Sequence, residues 1–196
     1  MKKPLEKGLE KAISYLEYKE LVSSLISEGK STGPNQSDAL LNYSVLNDKR
    51  MKRLDKTIQL SEEIISKTKA LNKPQTWLLL TESWCGDAAQ TMPVINKIAN
   101  ENANINFKIV LRDEHLELMD QFLTNGGRSI PKLVALDKDN NVLNSWGPRP
   151  SVATKMVADY KAANGGLDPE FKKALQVWYN KDKGRSVQDD FVEFLQ

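Results

Sequence analysis

The sequence predicts an α/β fold in which a mixed β-sheet lies between layers of helices. Two short apolar stretches, within residues 72–84 and 105–113, have the composition of buried strands. A helical pattern lies between them, and a helix that connects two strands implies that the strands pair in parallel. Residues 131–147 have the pattern of a hairpin, which adds antiparallel strands. Helical patterns on both sides of this segment supply the outer layers.

Apolar residues at helical spacing predict an N-terminal helical region. One amphipathic helix is predicted over residues 4–27, and the glycine-containing sequence GKSTGPNQSD then ends it. Residues 39–71 are also predicted to be helical, with an interruption near Asn47-Asp48. We therefore expect residues 1–56 to form a helical extension of the sheet domain.

The sheet domain is predicted over residues 57–163. Its first strand, within residues 72–84, leads into a helix over residues 86–100 that Pro93 is expected to kink. The later elements are a strand at 105–113, a helix at 114–127 that glycines end, hairpin arms Lys132–Leu136 and Val142–Trp146, a helix at 151–163, and helices near 169–180 and 187–195. We expect the C-terminal helices, in residues 164–196, to pack on the same domain.

Composition and charge exclude several classes of function. The 196 residues carry 28 basic and 26 acidic side chains, a net charge of +2, which gives no basis for nucleic acid or an anionic membrane as a partner. The N-terminus lacks the apolar core of a secretory signal, and no apolar stretch approaches the roughly 20 residues of a membrane span. A single cysteine excludes an internal disulfide framework, so we expect a cytoplasmic protein.

A thiol at a strand-to-helix junction is the main candidate for chemistry. The segment TESWCGDAAQTMPV, residues 81–94, holds the only cysteine, Cys85, at the predicted start of a helix. Unpaired backbone N–H groups and the helix dipole stabilise a thiolate there, and such cysteines have pKa values of about 3.5 to 7.5. Asp87 opposes this effect, because a negative charge near the sulfur raises the pKa of a thiol. We therefore expect partial activation of Cys85.

Residues 57–163 carry motifs that resemble those of the thioredoxin superfamily. The sequence WCGDA, residues 84–88, stands where the family has W-C-x-x-C, and Pro93 stands where a proline kinks the next helix. The segment GGRSIPKLVALDKDNNVL, residues 126–143, is similar to the family's hairpin segment, and WGPRP, residues 146–150, resembles that of a bacterial thioredoxin-like subgroup. The resemblance implies a thioredoxin-like three-layer sandwich and a cis peptide bond before the proline of the hairpin segment. It also implies a site with Cys85 as the catalytic residue and a substrate-binding surface formed by Trp84, Gly86, Asp87, Ile130 and Pro131.

The chain departs from this family at two positions that bear on activity. Ala88 replaces the resolving cysteine, and the strand at residues 77–80 lacks the family's buried acid, although Glu82 lies nearer to the thiol. One thiolate can form a mixed disulfide, but its release requires a second thiol. We therefore predict monothiol exchange through Cys85, with protein thiols or disulfides or a low-molecular-weight thiol as partners. The alternative is a redox-inactive binding or adaptor module that uses the groove beside Pro131.

The remaining candidate residues are assigned simpler roles. Cys85 and the only histidine, His115, fall short of the three or four ligands of a metal site, and no cofactor is predicted. Arg128 is interpreted as a solvated loop residue, and the WGPRP segment as a rigid turn that seats its tryptophan against the core. The basic run at residues 47–56 is typical of a solvated helix face. A homodimer linked through Cys85 on oxidation is left open.

Overall fold

The computed structural model describes residues 2–195, which form helices around one four-stranded sheet. In chain order the elements are α1 (Lys2–Lys11), α2 (Tyr15–Ser27), α3 (Asp38–Thr57), α4 (Glu62–Ala70), β1 (Gln75–Thr81), α5 (Gly86–Ala99), β2 (Ile105–Leu111), a 3-10 turn (Arg112–Glu114), α6 (Leu116–Met119), β3 (Lys132–Leu136), β4 (Val142–Trp146), α7 (Ser151–Asn164), α8 (Pro169–Asp182) and α9 (Arg185–Phe194). Within the described residues, no helix combines the length and the apolar character that crossing a bilayer requires.

The sheet is mixed, and its strands lie in the order β2-β1-β3-β4. β1 runs parallel to β2, with Trp77 opposite Phe107, and antiparallel to β3, with Leu79 opposite Leu133. β3 and β4 form the predicted hairpin, with an irregularity in register between Ala135 and Leu136. The predicted α/β architecture, a mixed sheet flanked by helices with further helices at both ends of the chain, is therefore confirmed.

The central strand β1 separates two apolar layers, because successive side chains of a strand point to opposite faces. Trp77 and Leu79 pack in the layer formed with α2, α3, α4, α5 and α9, whereas Leu78 and Leu80 pack in the layer formed with α1 and α6. All four side chains are fully shielded from solvent. Burial on both faces explains why this strand is a continuous apolar run and does not alternate with polar residues.

The helix predicted over residues 4–27 is two helices, α1 and α2. Between them, Ile13 pairs with Ile109 of β2 through two backbone N–H···O bonds of 2.8 Å. Ser14 then caps α2: its hydroxyl accepts from the Glu17 backbone N–H, and the Glu17 carboxylate accepts from the Ser14 backbone N–H. The prediction of one helix was wrong because backbone pairing with the sheet edge and a capping box outweigh the apolar periodicity.

The interruption predicted near Asn47-Asp48 is also wrong, because α3 continues through these residues. The Asn47 side chain donates to the Ser83 carbonyl (2.8 Å), and Asp48 pairs with Lys52 one turn further along the helix. The break between α3 and α4 lies at residues 58–61, where the hydroxyl of Ser61 caps α4. Asn47 therefore joins α3 to the turn between β1 and α5.

Most of the helix predicted over residues 114–127 is irregular, and only α6 is helical there. Thr124 and Gly127 exchange two backbone hydrogen bonds of 2.9 and 3.0 Å, which close a tight loop. Arg128 holds the same segment from outside, since its guanidinium donates two hydrogen bonds to the Asp120 carboxylate. Local backbone and side-chain bonds thus compete successfully with helix formation.

The C-terminal helices lie close to their predicted positions. Phe191 of α9 is fully buried, and its ring packs edge-on against Trp77 and Trp146 at centroid distances of 5.5 and 5.6 Å. The Trp146 indole N–H donates to the Asp190 carboxylate (2.8 Å). This contact fixes α9 to the central strand and to the hairpin.

Candidate thiol site

The site lies where β1 ends and α5 begins. Cys85 is the N-cap residue of α5, and the Ala88 backbone N–H donates to its Sγ at 3.4 Å. The thiol in turn donates to the Ile130 carbonyl, also at 3.4 Å. The Ile130–Pro131 peptide bond is cis. The structure therefore brings together Cys85, Ile130 and Pro131, which lie far apart in the sequence.

The Cys85 thiol is poorly ionised in this conformation. Only 8% of the residue is exposed, and burial raises the pKa of the thiol to about 12. The Asp87 carboxylate raises this pKa further, while the N–H groups of Ala88 and Asp87 and the charge of Arg149 oppose the shift. The expected partial activation is thus wrong for this state, because removal of solvent outweighs the helix terminus.

Asp87 does more than begin the helix. Its buried carboxylate forms an ion pair with Arg149 (Oδ2 to Nη2, 2.8 Å) and accepts a hydrogen bond from the Tyr179 hydroxyl (Oδ1, 3.0 Å). Burial is the main cause that raises the pKa of Asp87, and these two partners oppose it. The carboxylate therefore ties α5 to α8 and to the segment after β4.

The WGPRP segment belongs to the site, which the sequence analysis did not predict. Trp146 is seated against the core as expected, but Arg149 reaches Asp87. Gly147 has φ +111°, and a Cβ on it would lie 2.2 Å from the Pro131 carbonyl oxygen. Only glycine fits that approach. The one available signal was position, since this segment follows the strand that pairs with β3.

The backbone edge beside Pro131 is largely occupied. The Ile130 carbonyl accepts the thiol hydrogen bond, and the Pro131 carbonyl lies against Gly147. Ile130 and Pro131 are themselves buried. An extended peptide would therefore have to displace existing contacts before it could pair with this edge.

Trp84 and Gly86 flank the thiol and are partly exposed. The Arg112 guanidinium lies 5.0 Å from the centre of the Trp84 ring. A Cβ on Gly86 would stand 3.4 Å from Nε2 of Gln176 in α8 and 3.6 Å from Nη1 of Arg50 in α3. Both α3 and α8 thus reach the helix start at Gly86.

A groove of about 590 Å³ opens beside this turn, between α3 and α8. It is lined on the thiol side by Trp84, Gly86 and Asp87. The facing residues include four cations, which are Arg50, Arg149, Lys172 and Lys173, and the aromatic rings of Tyr43 and Phe171. Sequence analysis missed this groove because its walls come from helices on opposite sides of the motif.

A buried polar network holds the turn that precedes Cys85. The Ser83 hydroxyl lies 2.7 Å from that of Ser44 and accepts from the Thr32 backbone N–H (3.0 Å). Glu82 is fully shielded, and one of its oxygens accepts from the Asp113 backbone N–H (2.8 Å). Burial is the main cause that raises the pKa of Glu82. Glu82 is thus a buried acid three residues before Cys85, although it does not lie in β1.

Other candidate residues lie apart from the thiol. Within the described residues His115 forms no hydrogen bond to Cys85, and it is half-buried beside Lys11 at a different cavity. Arg128 is an exposed loop residue paired with Asp120. Across residues 2–195 no group of three or more His, Cys, Asp or Glu side chains is arranged to hold a metal ion.

The family comparison agrees with the fold. The model of the Thioredoxin_9 family, described as thioredoxin, matches residues 33–161, which is more than half of the chain. The chain therefore belongs to this family and is a thioredoxin-fold protein. The match begins inside the segment predicted as an N-terminal extension, and the division at residues 56 and 163 stays a prediction.

Solved structures are similar at low sequence identity. An HIV epitope scaffold covers 92% of this chain and 96% of its own, with a TM-score of 0.54 and 16% identity, and it supports the fold. A protein of unknown function from Pseudomonas aeruginosa covers 91% and 99%, with a TM-score of 0.49 and 16% identity. The NTD_N/C domain of alkylhydroperoxide reductase AhpF from Enterococcus faecalis covers 64% and 57%, with a TM-score of 0.36 and 19% identity. No curated protein matches this chain.

Proposed function

We propose that the protein carries out monothiol exchange through Cys85, in a reducing cytoplasm and with a resolving thiol supplied from outside the chain. The observation that carries this proposal is the hydrogen bond from the Ala88 backbone N–H to Sγ, beside a groove that opens on both neighbours of the cysteine. A backbone donor at a helix start stabilises the thiolate that attacks and the thiolate that leaves.

The exchange needs two steps. The Cys85 thiolate attacks one sulfur of a disulfide R–S–S–R, a Cys85–S–S–R bond forms, and RS⁻ leaves. A second thiolate R′S⁻ then attacks the R sulfur, which releases R–S–S–R′ and returns the Cys85 thiolate. Ala88 stands where an internal thiol would perform the second step, so that step depends on R′S⁻.

Burial of the thiol is expected to slow the first step. A thiol with a pKa of about 12 is almost entirely protonated at pH 7. We therefore expect slow attack unless a bound partner opens the contact between Sγ and the Ile130 carbonyl or brings positive charge near the sulfur.

The test is mixed-disulfide formation with purified protein and a small disulfide, followed by mass spectrometry. The wild-type chain is expected to gain one adduct that an added thiol then removes, whereas Cys85→Ser gains none. Ala88→Cys, which restores the second thiol, is expected to release the adduct without added thiol. A wild-type chain that forms no adduct while it stays folded would overturn the proposal.

A second candidate function is a redox-inactive binding module. The raised pKa and the hydrogen-bonded, buried state of Cys85 favour it, because both oppose reaction. In that case Cys85→Ala leaves partner binding unchanged, as measured by calorimetry on a purified partner. Loss of binding in a folded Cys85→Ala chain would contradict the module.

A further inference from the structure

The groove beside Cys85 is strongly basic. We propose that it binds the negatively charged part of a low-molecular-weight thiol or its disulfide, which makes the resolving thiol a small anionic molecule and not an extended polypeptide. This inference rests on the proposed function, and it names the substrate class of the same site. The shared chemistry of the ligand is an anionic group, either a carboxylate or a phosphate, attached to a thiol.

The charge balance of the groove supports an anionic ligand. Asp87 is the only acid among the lining residues, and Arg149 already pairs with it. Arg50, Lys172 and Lys173 form no ion pair within residues 2–195. Three positive charges therefore line the cavity without an ion pair, although the Lys172 charge also acts on Asp168, whose pKa it helps to lower. Electrostatic attraction of this kind concentrates anions.

Two arginines that line the groove are held by polar contacts. Arg50 is half-buried and donates from Nη1 to the Asn47 side-chain oxygen (2.8 Å), which leaves its other donors available to a ligand. The Nε atom of Arg149 is buried and has no hydrogen-bond partner within the described residues. Buried donors without a partner are uncommon, and an anion is the acceptor that an arginine binds best.

The position of these cations suits a ligand whose sulfur reaches Cys85. Nη1 of Arg50 lies 3.6 Å from the point where a Cβ on Gly86 would stand, one residue from the thiol. Lys172 and Lys173 are exposed residues of α8 that line the same groove. An anion bound by Arg50 would thus lie close to the helix start that carries Cys85.

A small ligand fits better than an extended polypeptide. The cavity volume of about 590 Å³ falls within the range of small-molecule sites. The backbone edge that a peptide would use is occupied at the Ile130 and Pro131 carbonyls. Tyr43 and Phe171 line the groove and supply apolar contact for the part of the ligand between its anion and its sulfur.

The first experiment measures how the charge of a disulfide affects mixed-disulfide formation at Cys85. The probes are glutathione disulfide (carboxylates), coenzyme A disulfide (phosphates), bis(2-hydroxyethyl) disulfide (neutral) and cystamine (cationic). Each rate is divided by the rate of the same probe with free cysteine. We expect at least one anionic probe to react about tenfold or more faster than the neutral one at low salt. The faster anionic probe then identifies the ligand source as carboxylate or phosphate.

Variants of the groove test whether its cations cause this preference. Arg50→Ala and the double variant Lys172→Ala with Lys173→Ala are expected to lose most of the preference, and added salt is expected to weaken it in the wild type. The matched control removes two exposed lysines outside the groove, Lys161→Ala with Lys181→Ala. Reaction with neutral iodoacetamide corrects every rate for a change in the pKa of the thiol.

Binding to a variant that cannot form a disulfide separates this inference from the proposed function. Calorimetry on Cys85→Ser with reduced glutathione and with coenzyme A is expected to detect binding that Arg50→Ala weakens. If Cys85 reacts with no disulfide but this binding persists, the exchange reaction fails and the anion site stands. If Cys85 reacts equally fast with anionic, neutral and cationic probes and neither anionic thiol binds, the anion site is overturned and the exchange reaction stands.

Discussion

At the scale of single residues, the site is governed by the removal of water from Cys85 and Asp87. The sulfur has a backbone donor at the start of a helix, which favours the thiolate. It is also enclosed and lies near a carboxylate, and both conditions favour the neutral thiol. Enclosure and the nearby carboxylate together outweigh the backbone donor in this conformation. The motif alone therefore does not determine the reactivity of Cys85.

The variant Asp87→Asn isolates the contribution of the carboxylate. The amide keeps an acceptor for Tyr179 and removes the negative charge, so we expect the pKa of the Cys85 thiol to fall. A fall of one pKa unit would make alkylation at pH 8 about tenfold faster. In the wild type, alkylation should still rise about tenfold per pH unit from pH 7 to 9, because this range lies below the pKa.

The control for this variant is Asp120→Asn, which removes an exposed carboxylate that pairs with Arg128 and is not among the charges that shift the pKa of Cys85. It is expected to leave the alkylation profile unchanged. Circular dichroism must show that both variants are folded at each pH. A folded Asp87→Asn chain that is alkylated no faster than the wild type would contradict the assigned effect.

Gly147→Ala tests the close approach between the WGPRP segment and Pro131. The added Cβ would overlap the Pro131 carbonyl oxygen, and φ at this position is +111°. We expect a loss in the free energy of unfolding of more than about 2 kcal/mol, measured by chemical denaturation. Gly126→Ala is the matched control: φ is also positive there (+75°), but nothing lies within 4 Å, so it should lose only about 1 kcal/mol. Equal losses would show that steric overlap is not the cause.

At the scale of elements, chain segments differ in how much of their structure is locally encoded. The strand β1 is an apolar run bounded by polar residues, and α5 carries apolar residues at helical spacing, so both were predicted from sequence. The break between α1 and α2 was not, because Ile13 leaves the helix to pair with Ile109, almost a hundred residues away. Apolar periodicity carries no information about that partner.

Ser14→Ala tests the signal that starts α2. The change removes the side-chain acceptor for the Glu17 backbone N–H, so we expect a loss of about 1 kcal/mol in the free energy of unfolding. Ser23→Ala is the control, since Ser23 lies on the exposed face of the same helix. That change should be neutral or slightly stabilising, because alanine has the higher helix propensity. Equal effects of the two substitutions would exclude a capping role.

At the scale of the whole molecule, the N-terminal helices contribute to the core of the protein. Tyr18, Val22, Met51 and Leu54 are buried in the same layer as Trp77 of the central strand. We therefore expect a chain that begins at residue 57 to lack cooperative thermal unfolding and to be cleaved rapidly by protease, in contrast to the full chain. A truncated chain with a sharp unfolding transition would contradict this prediction.

The packing of distant segments in the whole molecule explains which parts of the site could be predicted from the sequence. Cys85, Trp84 and Asp87 lie in one short motif, so their proximity followed from the sequence. Arg50, Arg149 and Lys172 reach the site only through the packing of α3, the segment after β4 and α8. No local pattern distinguishes these cations from those on a solvated surface, and the basic run at residues 47–56 was interpreted in that way.

The backbone pairing of Ile13 with Ile109 also affects whether copies of this chain can associate through their sheets. β2 is an outer strand of the sheet, and exposed outer strands are templates for the addition of a strand from another molecule. The connection between α1 and α2 occupies the Ile109 backbone groups on that side. Loss of this connection would free hydrogen-bonding groups on a largely apolar strand, so intermolecular sheet extension, and with it aggregation, is the form of damage that this arrangement prevents.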